Sequence, residues 1–383
     1  MITLCVPTMN RPQFLERLLR YYAQTRSPYA VLIGDSSTAE LAEQNQRMVA
    51  SFERQLRVTY RAYPGLSACA ALEQLAQEIS TPYCAFVGDD DVLCTRGLKR
   101  CAAFLESHPD VGAAHGAGLM VQTEGSGPYG PLGNVRPYPQ ALVEATTGAQ
   151  RLEEFFTLRL SSVLYSVHRR QTWQTMFQSL GAMPGVQNRN MFKDELIATS
   201  ISVIRGQIAC VEGLYLIRHV HADDSYRFPH VYDWLTDPMW FPSYQTFCER
   251  LVEQLVHQDG ITVDEARQAI RRAFWPYLAR EVSVTRRKEI ETRATSAPSP
   301  LRAMAKRLPG ARQAWQGLRA MVQRSRDPWS LPALLQPSSP YHEDFLPVYR
   351  LITSPIDGRA IHPSAAPPEL DIAMAGSAGA HSR

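Results

Sequence analysis

Residues 83–93 read YCAFVGDDDVL, in which an apolar run and one glycine are followed by Asp89, Asp90 and Asp91, here called the acidic triplet. The apolar run shows no polar alternation, which is typical of a central strand covered on both faces of a parallel sheet. Two carboxylates about 5 Å apart repel each other by roughly 3 kcal/mol at an effective dielectric of about 20. Three carboxylates at the end of a buried strand therefore predict either a water-filled loop or a bound cation.

The first hundred residues alternate between short apolar runs and helical patterns. The apolar runs are ITLCVPT, YAVLIGD, RVTYRAY and YCAFVGD. Apolar residues at helical spacing follow the first run, from Phe14 to Tyr22, and Ser67 is placed to cap a helix that begins at Ala68. Because strands that alternate with helices pair in parallel, the sequence predicts an α/β fold with a doubly wound, mostly parallel sheet and helices on both faces.

Three of the predicted strands end in polar residues, at Thr8, at Asp35 and at the acidic triplet. The carboxyl ends of parallel strands lie along one edge of a sheet, where open α/β sheets bind ligands. Carboxylate oxygens there could hold Mg²⁺ or Mn²⁺, and such an ion could bridge to a diphosphate. Two alternatives remain open: the triplet could be an ordinary solvated Gly-Asp turn, and Asp35 could cap the turn that follows it.

Two further groups of side chains could carry chemistry. Asp194 and Glu195 lie in MFKDELIA, where one of them could be a catalytic base, although acids are also common at helix N-termini for dipole reasons. His219 and His221 lie in RHVH, and their spacing puts both rings on one face of a strand, which would suit metal binding. The alternative for the histidines is a surface pair near a turn.

The composition changes towards the C-terminus. Lysine and arginine far outnumber acidic residues between residues 267 and 326, and proline is frequent after residue 327. Between residues 96 and 282 we predict a helix over 96–107, a strand over 112–121, a Gly/Pro-rich loop over 125–139 and helices over 236–282. The predicted units are an α/β domain over 1–235, a helical basic extension over 236–326 with a basic arm over 285–326, and a mostly disordered tail over 327–383.

The order of the motifs TLCVPTMNRP, LIGDSS, PGLSACAALEQLA and YCAFVGDDDVL resembles that of a family 2 glycosyltransferase with the GT-A fold. The likeness is close over residues 1–105 and loose over 106–225. It implies a nucleotide-sugar half over 1–105 and an acceptor half over 106–235. Two departures are visible: Gly88 stands where the family often has aspartate, and Ala70 and Ala71 stand where it often has an Arg-Asn pair.

The resemblance implies roles for individual residues. The residues implied to bind the nucleotide are Pro7, Thr8, Asn10, Arg11 and Asp35, and we add Ser67 to this set. The implied metal ligands are Asp89, Asp90, Asp91 and His221. The implied catalytic base is Asp194 or Glu195, and the sequence does not distinguish between them.

The expected activity is inverting transfer of a sugar from a nucleoside-diphosphate donor to an acceptor hydroxyl, with Mn²⁺ or Mg²⁺ as cofactor. The expected acceptor is a glycan or a lipid-linked glycan, as in surface glycan synthesis. Two alternatives remain open. One is a nucleotidyltransferase, although that class usually begins with a Gly-rich loop that PTMNRP lacks. The other is a non-catalytic nucleotide-sugar or carbohydrate-binding protein of the same fold.

Charge and cysteine content constrain the partners and the compartment. A net charge of +3 is too small to indicate a nucleic-acid partner, and the seven cysteines form no C-x-x-C pair, which favours reduced thiols and a cytoplasmic location. We expect neither a signal peptide nor a membrane-spanning segment. The basic arm interleaves cations with apolar residues, which predicts docking on an anionic membrane surface at the inner face. The alternative is a basic helix packed on an acidic surface of the catalytic domain.

Overall fold

The structure is a computed structural model of the chain, and it describes residues 1–125, 127–158, 162–178, 180, 191–221, 230–296 and 327–354. Within these residues, nine strands form one sheet. The strands are β1 (Ile2–Thr8), β2 (Ala30–Asp35), β3 (Arg57–Ala62), β4 (Tyr83–Phe86), β5 (Val92–Leu93), β6 (Val111–Thr123), β7 (Leu132–Tyr138), β8 (Val167–Arg169) and β9 (Gln207–Val220). Their order is β3-β2-β1-β4-β8-β6-β9-β5, and β7 pairs with β6.

The half of the sheet formed by β3, β2, β1 and β4 is wholly parallel. In the β1–β2 ladder Thr8 is paired with Asp35, so the two strands end side by side. The other half is mixed: β6 and β9 form a long parallel ladder, whereas β8 runs antiparallel to both β4 and β6. The longest ladders are therefore parallel except for the hairpin-like pairing of β6 with β7.

Helices cover both faces of the sheet. They are α1 (Pro12–Gln24), α2 (Ala39–Ala50), α3 (Ala68–Glu78), α4 (Thr95–Ser107), α5 (Gly148–Leu158), α6 (Arg170–Phe177), α7 (Ile197–Arg205), α8 (Val231–Thr236), α9 (Trp240–Asp259), α10 (Val263–Ser296), α11 (Leu331–Leu334) and α12 (His342–Thr353). A 3₁₀ turn spans Ser162–Tyr165 and a π-helical turn spans Phe192–Leu196.

The two faces of the sheet contribute to two hydrophobic cores. Val6 of β1 lies in the core shared with α1, α4 and α12, whereas its neighbour Cys5 lies in the core shared with α3, α5, α6, α7, α9 and α10. The same alternation holds in β4, where Ala85 and Cys84 face opposite cores. This explains why these strands are apolar without interruption, and it confirms the predicted sheet with helices on both faces.

Two sequence predictions are wrong in the part of the chain beyond the first hundred residues. The segment over 125–139, which was expected to be a loop, contains β7. This strand pairs with β6 even though it includes Pro137, a residue that disfavours strands. The tail expected to be disordered folds over residues 327–354, where α11 and α12 close the first core. Phe345, Val348 and Ile352 are buried there, so helical spacing of apolar residues outweighed the effect of proline content.

The predicted helical extension is integral to the second core up to Leu278. Phe247 of α9 and Phe274 of α10 are fully buried, whereas α10 has no buried residue after Leu278 in the part of the helix whose side chains are described. The first residues of the basic arm continue α10 to Ser296, and residues 297–326 lie outside the described residues. No helix in the described part of the chain combines the length and apolarity needed to span a bilayer.

Candidate active site

The acidic triplet lies where the sequence predicted, beside the ends of β1 and β2. The Thr8 hydroxyl donates a hydrogen bond to Asp89 Oδ2 at 2.7 Å, across 81 residues of sequence. The segment between β4 and the triplet is tied to β1 by a hydrogen bond of 3.1 Å from Val87 N to Cys5 O. The predicted convergence of polar strand ends on one edge of the sheet is therefore confirmed.

The triplet is enclosed, so the interpretation as a solvated turn is wrong. The side chain of Asp89 is fully buried and that of Asp91 is 1% exposed, whereas that of Asp90 is 15% exposed. Asp91 accepts hydrogen bonds from the Tyr165 hydroxyl at 2.7 Å and from His219 N at 3.1 Å. Asp90 is therefore the member of the triplet that a ligand can reach.

Three arginines compensate the three aspartates. Arg11 Nη1 donates to Asp90 Oδ2 at 2.8 Å and its Nη2 donates to Asp89 Oδ1. Arg218 Nε lies 3.3 Å from Asp91 Oδ2. The three acids and the three guanidinium groups, with Arg17 as the third, leave the site close to neutral when its histidines are uncharged.

Arg17 is fully buried and was missed by the sequence analysis. Its guanidinium donates to Pro128 O at 2.6 Å, to the backbone oxygen of Asp90, and to His219 Nδ1 at 2.9 Å. His219 Nε2 is then free to donate to Thr123 Oγ1, 2.9 Å away. The available signal was the position of Arg17 on the apolar face of α1, where an arginine is rarely found without a partner.

The surroundings shift the pKa values of the triplet in different directions. Burial raises the pKa of Asp89 to about 7, although Arg11 opposes the shift. Burial also raises the pKa of Asp91. The pKa of Asp90 is lowered, because its hydrogen bond with His221 and the charge of Arg11 outweigh burial. Asp90 is thus the carboxylate held in its charged form, in keeping with its exposure.

Asp90 and His221 fit a divalent cation, whereas the other two predicted ligands do not in this arrangement. His221 Nε2 lies 3.2 Å from Asp90 Oδ2, and the ring stacks on Phe14 at 4.5 Å between centroids. Both oxygens of Asp89 and of Asp91 already accept hydrogen bonds. Mg²⁺ and similar ions are often held by one or two protein ligands together with substrate phosphates and water.

The protein alone would not supply all the ligands of a metal ion at Asp90 and His221. In the described residues, no group of three or more His, Cys, Asp or Glu side chains is arranged to hold a metal ion. Asp90 and His221 would supply one oxygen and one nitrogen ligand, a donor set that Mn²⁺ accepts readily. The remaining ligands would have to come from the donor diphosphate and from water.

The second acidic pair, Asp194 and Glu195, lies on the π-helical turn that leads into α7. Burial raises the pKa of Glu195 to about 8, with Arg218 opposing the shift and Asp194 adding to it. Asp194 Oδ1 lies 3.6 Å from Lys193 Nζ and accepts a hydrogen bond from Cys69 Sγ at 3.3 Å. Arg218 contacts Asp91, and its charge also lowers the pKa of Glu195, so the second acidic pair lies within electrostatic range of the triplet.

The motif region of this site matches a known family. Residues 3–144 match the family model described as "Glycosyl transferase family 2". Over residues 3–144 the chain is thus similar to family 2 glycosyltransferases. The resemblance noted in the sequence is confirmed over this range. No curated protein sequence matches the chain.

Several solved structures match the chain at low sequence identity. S. aureus TarS 1–349 in complex with UDP-GlcNAc is 15% identical over 70% of this chain and 70% of its own, with a TM-score of 0.45. A longer S. aureus TarS structure is 14% identical with a TM-score of 0.43, and the alignment covers 70% of this chain but 42% of that one. The mannosyltransferase PcManGT from Pyrobaculum calidifontis, in complex with GDP-Man and Mn²⁺, is 13% identical over 84% and 80%, with a TM-score of 0.40.

Gly88, which departs from the pattern of that family, has a steric reason in this structure. A Cβ atom at Gly88 would lie 2.8 Å from Asp90 Oδ1 and 3.3 Å from Asp91 Oδ2. An aspartate at position 88 would therefore displace two members of the triplet. The carboxylates of Asp90 and Asp91 occupy space that a side chain at position 88 would need.

Asp35 has a structural role, because it holds the loop after β2 to neighbouring elements. It is fully buried and accepts hydrogen bonds from Ser37 N at 2.8 Å, from Asn45 Nδ2 at 2.7 Å and from the Tyr60 hydroxyl at 2.7 Å. The bond from Ser37 N is that of the turn cap that the sequence left open as the alternative. A contact with the nucleotide would require some of them to break.

The other residues predicted to bind the nucleotide shape its loops. Asn10 has a positive φ of 57° and joins the loop after β1 to the loop after β2, since its Oδ1 accepts from Thr38 N at 3.0 Å. Ser67 caps α3 by accepting from Ala70 N at 3.3 Å, as predicted. Pro7 is paired with Gly34 in the β1–β2 ladder. Their contacts with a nucleotide remain predictions.

Proposed function

We propose that the chain transfers a sugar, with inversion, from a nucleoside-diphosphate donor to an acceptor hydroxyl, and that a divalent cation binds at Asp90 and His221. One observation carries the proposal: Arg218 lies 3.3 Å from Asp91 of the triplet and acts electrostatically on Glu195, in a chain whose residues 3–144 match the family 2 glycosyltransferase model. The acidic triplet would anchor the diphosphate through the cation. The second acidic pair would act on the acceptor hydroxyl at the same site. Such a division of roles is what transfer to a hydroxyl requires.

The donor side of the site would act on the leaving diphosphate. When bound, a Mn²⁺ or Mg²⁺ ion neutralises the negative charge of the diphosphate. The remaining positive charge comes from the chain, because Arg218 stays partly exposed while Arg17 holds the backbone of Asp90 in place. These groups are fixed before the reaction, so their orientation costs little during it.

Glu195 is the proposed general base. It would accept the proton of the acceptor hydroxyl as that oxygen attacks the anomeric carbon from the face opposite the nucleotide. A pKa of about 8 is close to neutral pH. A base with such a pKa is ionised in part of the molecules and still accepts a proton readily, which favours proton transfer. Asp194 is less suited to this role because one of its oxygens contacts both Lys193 and Cys69.

A transfer assay tests the proposal. UDP-GlcNAc and GDP-Man are suitable first donors, each incubated with the protein in Mn²⁺ or in EDTA, and release of the nucleoside diphosphate is measured. We expect release that requires the metal and is lost in Asp90→Ala. If a donor binds with metal but is never hydrolysed or transferred, the chain is a binding protein of this fold and the enzymatic proposal is wrong.

The proposed acceptor is a glycan or a lipid-linked glycan at the cytoplasmic face of a membrane. Its support is the composition of the basic arm over residues 285–326, where arginines alternate with apolar residues. Co-sedimentation with anionic vesicles tests it, and a chain truncated after Val284 is the comparison. We expect salt-sensitive binding that the truncation abolishes. If the full chain ignores anionic vesicles at low salt, the membrane acceptor loses its support.

A further inference from the structure

We propose that Arg11 is the resident counter-cation of the acidic triplet, that it competes with the divalent cation for Asp90, and that it then binds the donor diphosphate. The inference rests on the proposed metal site and assigns a regulatory role to a side chain within it. It makes Arg11 a residue that opposes metal binding and favours donor binding. No other side chain described at this site is placed to have those two opposite effects.

The first observation is that Arg11 occupies the proposed metal ligand. Its Nη1 donates to Asp90 Oδ2 at 2.8 Å, and the same oxygen lies 3.2 Å from His221 Nε2. A divalent ion held by Asp90 and His221 would therefore approach the guanidinium closely. Two cations that share one carboxylate oxygen repel each other. The divalent ion and the Arg11 guanidinium would therefore each weaken the binding of the other to Asp90.

The second observation is that the Arg11 guanidinium is held by carboxylate side chains, so it can leave the triplet without breaking bonds to the backbone of the kind that Arg17 makes. The side chain of Arg11 is 21% exposed, and it forms ion pairs with Asp89 and Asp90. Arg17 is fully buried and bonded to two backbone oxygens, whereas Arg218 lies against Tyr138 and Tyr165. Arg11 instead precedes α1 in the loop after β1, with its guanidinium 5.3 Å above the Phe14 ring.

The third step concerns where the guanidinium goes. The metal that replaces Arg11 on Asp90 brings the diphosphate oxygens into the same site, since the chain supplies too few ligands alone. A guanidinium has a planar fork of donors that suits phosphate oxygens, so the displaced Arg11 gains a new anionic partner within reach of its own loop. The exchange keeps the carboxylates compensated both before and after the donor binds.

The test measures the two ligands separately in Arg11→Ala. Free Mn²⁺ is titrated by electron paramagnetic resonance without nucleotide, and UDP is then titrated calorimetrically at saturating Mn²⁺. We expect the variant to bind Mn²⁺ about tenfold more tightly than the wild type and to bind UDP about tenfold more weakly. Arg20→Ala is the matched control, because Arg20 lies on α1, the helix that follows Arg11, and pairs with Glu16; it should change neither value.

Arg11→Gln keeps the test decisive if the alanine variant folds poorly, because an amide can still donate to a carboxylate without carrying charge. Circular dichroism and thermal unfolding confirm that each variant is folded. Mn²⁺ affinity that is unchanged or lower in the folded variants, or unchanged UDP affinity, overturns the role of Arg11 and leaves the proposed function standing. If no protein binds Mn²⁺ even with UDP present, the metal site and this inference both fail.

Discussion

Arg17 shows how a single residue can support the site without touching a substrate. It is fully buried, and its donors satisfy the backbone oxygens of Pro128 and Asp90 together with His219 Nδ1. Burial lowers the pKa of its guanidinium to about 10, which still leaves it charged at neutral pH. The charge is retained because the three carboxylates of the triplet lie near it.

The first prediction concerns the stability that Arg17 provides. Arg17→Met removes a buried charge near the triplet and leaves the backbone oxygens of Pro128 and Asp90 without this donor, so we expect the free energy of unfolding to fall by about 3–5 kcal/mol. Urea unfolding followed by circular dichroism measures the change. Arg20→Ala, on the more exposed side of α1, should cost less than about 1 kcal/mol. A loss below about 1 kcal/mol in Arg17→Met would show that the buried arginine is not compensating the acids.

The second prediction concerns catalysis by Glu195. Glu195→Gln should reduce turnover by roughly two to four orders of magnitude with little change in donor affinity, as for loss of a general base. Turnover of the wild type should rise with pH up to about 8, since the base must be ionised. Asp194→Asn is the matched comparison and should cost less. If the two variants lose equal and small amounts of activity, neither acid is the base.

Glu195 should also make stability depend on pH. Burial raises its pKa in the folded protein to about 8, from an ordinary value of 4.5. The stability conferred by the bound proton is therefore fully present below about pH 4.5 and is lost as pH rises through about 8. We expect the melting temperature of the wild type to fall relative to that of Glu195→Gln between pH 5 and pH 8. A constant difference over that range would contradict the raised pKa.

The sequence allowed part of the site to be predicted at the level of residues. The proximity of Thr8 to the triplet could be predicted, because both come at the ends of parallel strands and parallel strands bring their carboxyl ends together. It could not show that Asp89 and Asp91 have their oxygens occupied, since Tyr165 and His219 come from distant parts of the chain. Likewise, the hydrogen bonds that bury Asp35 depend on Asn45 and Tyr60, which carry no motif.

At the scale of elements, α12 connects the C-terminal part of the chain to the site. Asp344 accepts a hydrogen bond from Arg100 Nη2 at 2.8 Å, which attaches α12 to α4. Gly130 N donates to Ile352 O at 3.0 Å, and the same loop supplies the Pro128 oxygen that binds Arg17. The helix thus supports the loop that holds Arg17 in place.

The third prediction follows from the burial of α12. Phe345→Ala should lower the free energy of unfolding by about 3–5 kcal/mol, because Phe345 is fully buried and its removal leaves a cavity in the first core. Urea unfolding again provides the measurement. Arg350→Ala on the exposed side of α12 should change stability by about 0.5 kcal/mol or less. If Phe345→Ala is as stable as the wild type, α12 does not contribute to the core.

Elements with a clear period were predictable, and those held by distant partners were not. The helical spacing after Pro12 and the uninterrupted apolar runs gave α1, β1, β2 and β4 close to their observed bounds. β7 was missed because glycine and proline favour loops, although β6 offers an edge to which this segment pairs. The π-helical turn at Phe192–Leu196 has no local signature, since Phe192 is held by Trp234 and Phe247 from other helices.

At the scale of the whole molecule, the site joins the two halves of the sheet. The parallel half supplies Thr8 and the triplet, whereas β9 of the mixed half supplies Arg218 and His219. The second acidic pair comes from the helical layer below the mixed half. A donor that binds at this junction would contact both halves and should therefore stabilise the folded chain as a unit.

The most direct test of the central claim is the thermal shift produced by a nucleoside-diphosphate sugar in the presence and absence of Mn²⁺. At a ligand concentration of about 100 times Kd, binding adds roughly 2.7 kcal/mol to the stability of the folded state. We predict a shift in the wild type that needs both ligands and that is lost in folded Asp90→Ala. An equal shift in EDTA, or an undiminished shift in Asp90→Ala, would contradict a metal-dependent donor site at the acidic triplet.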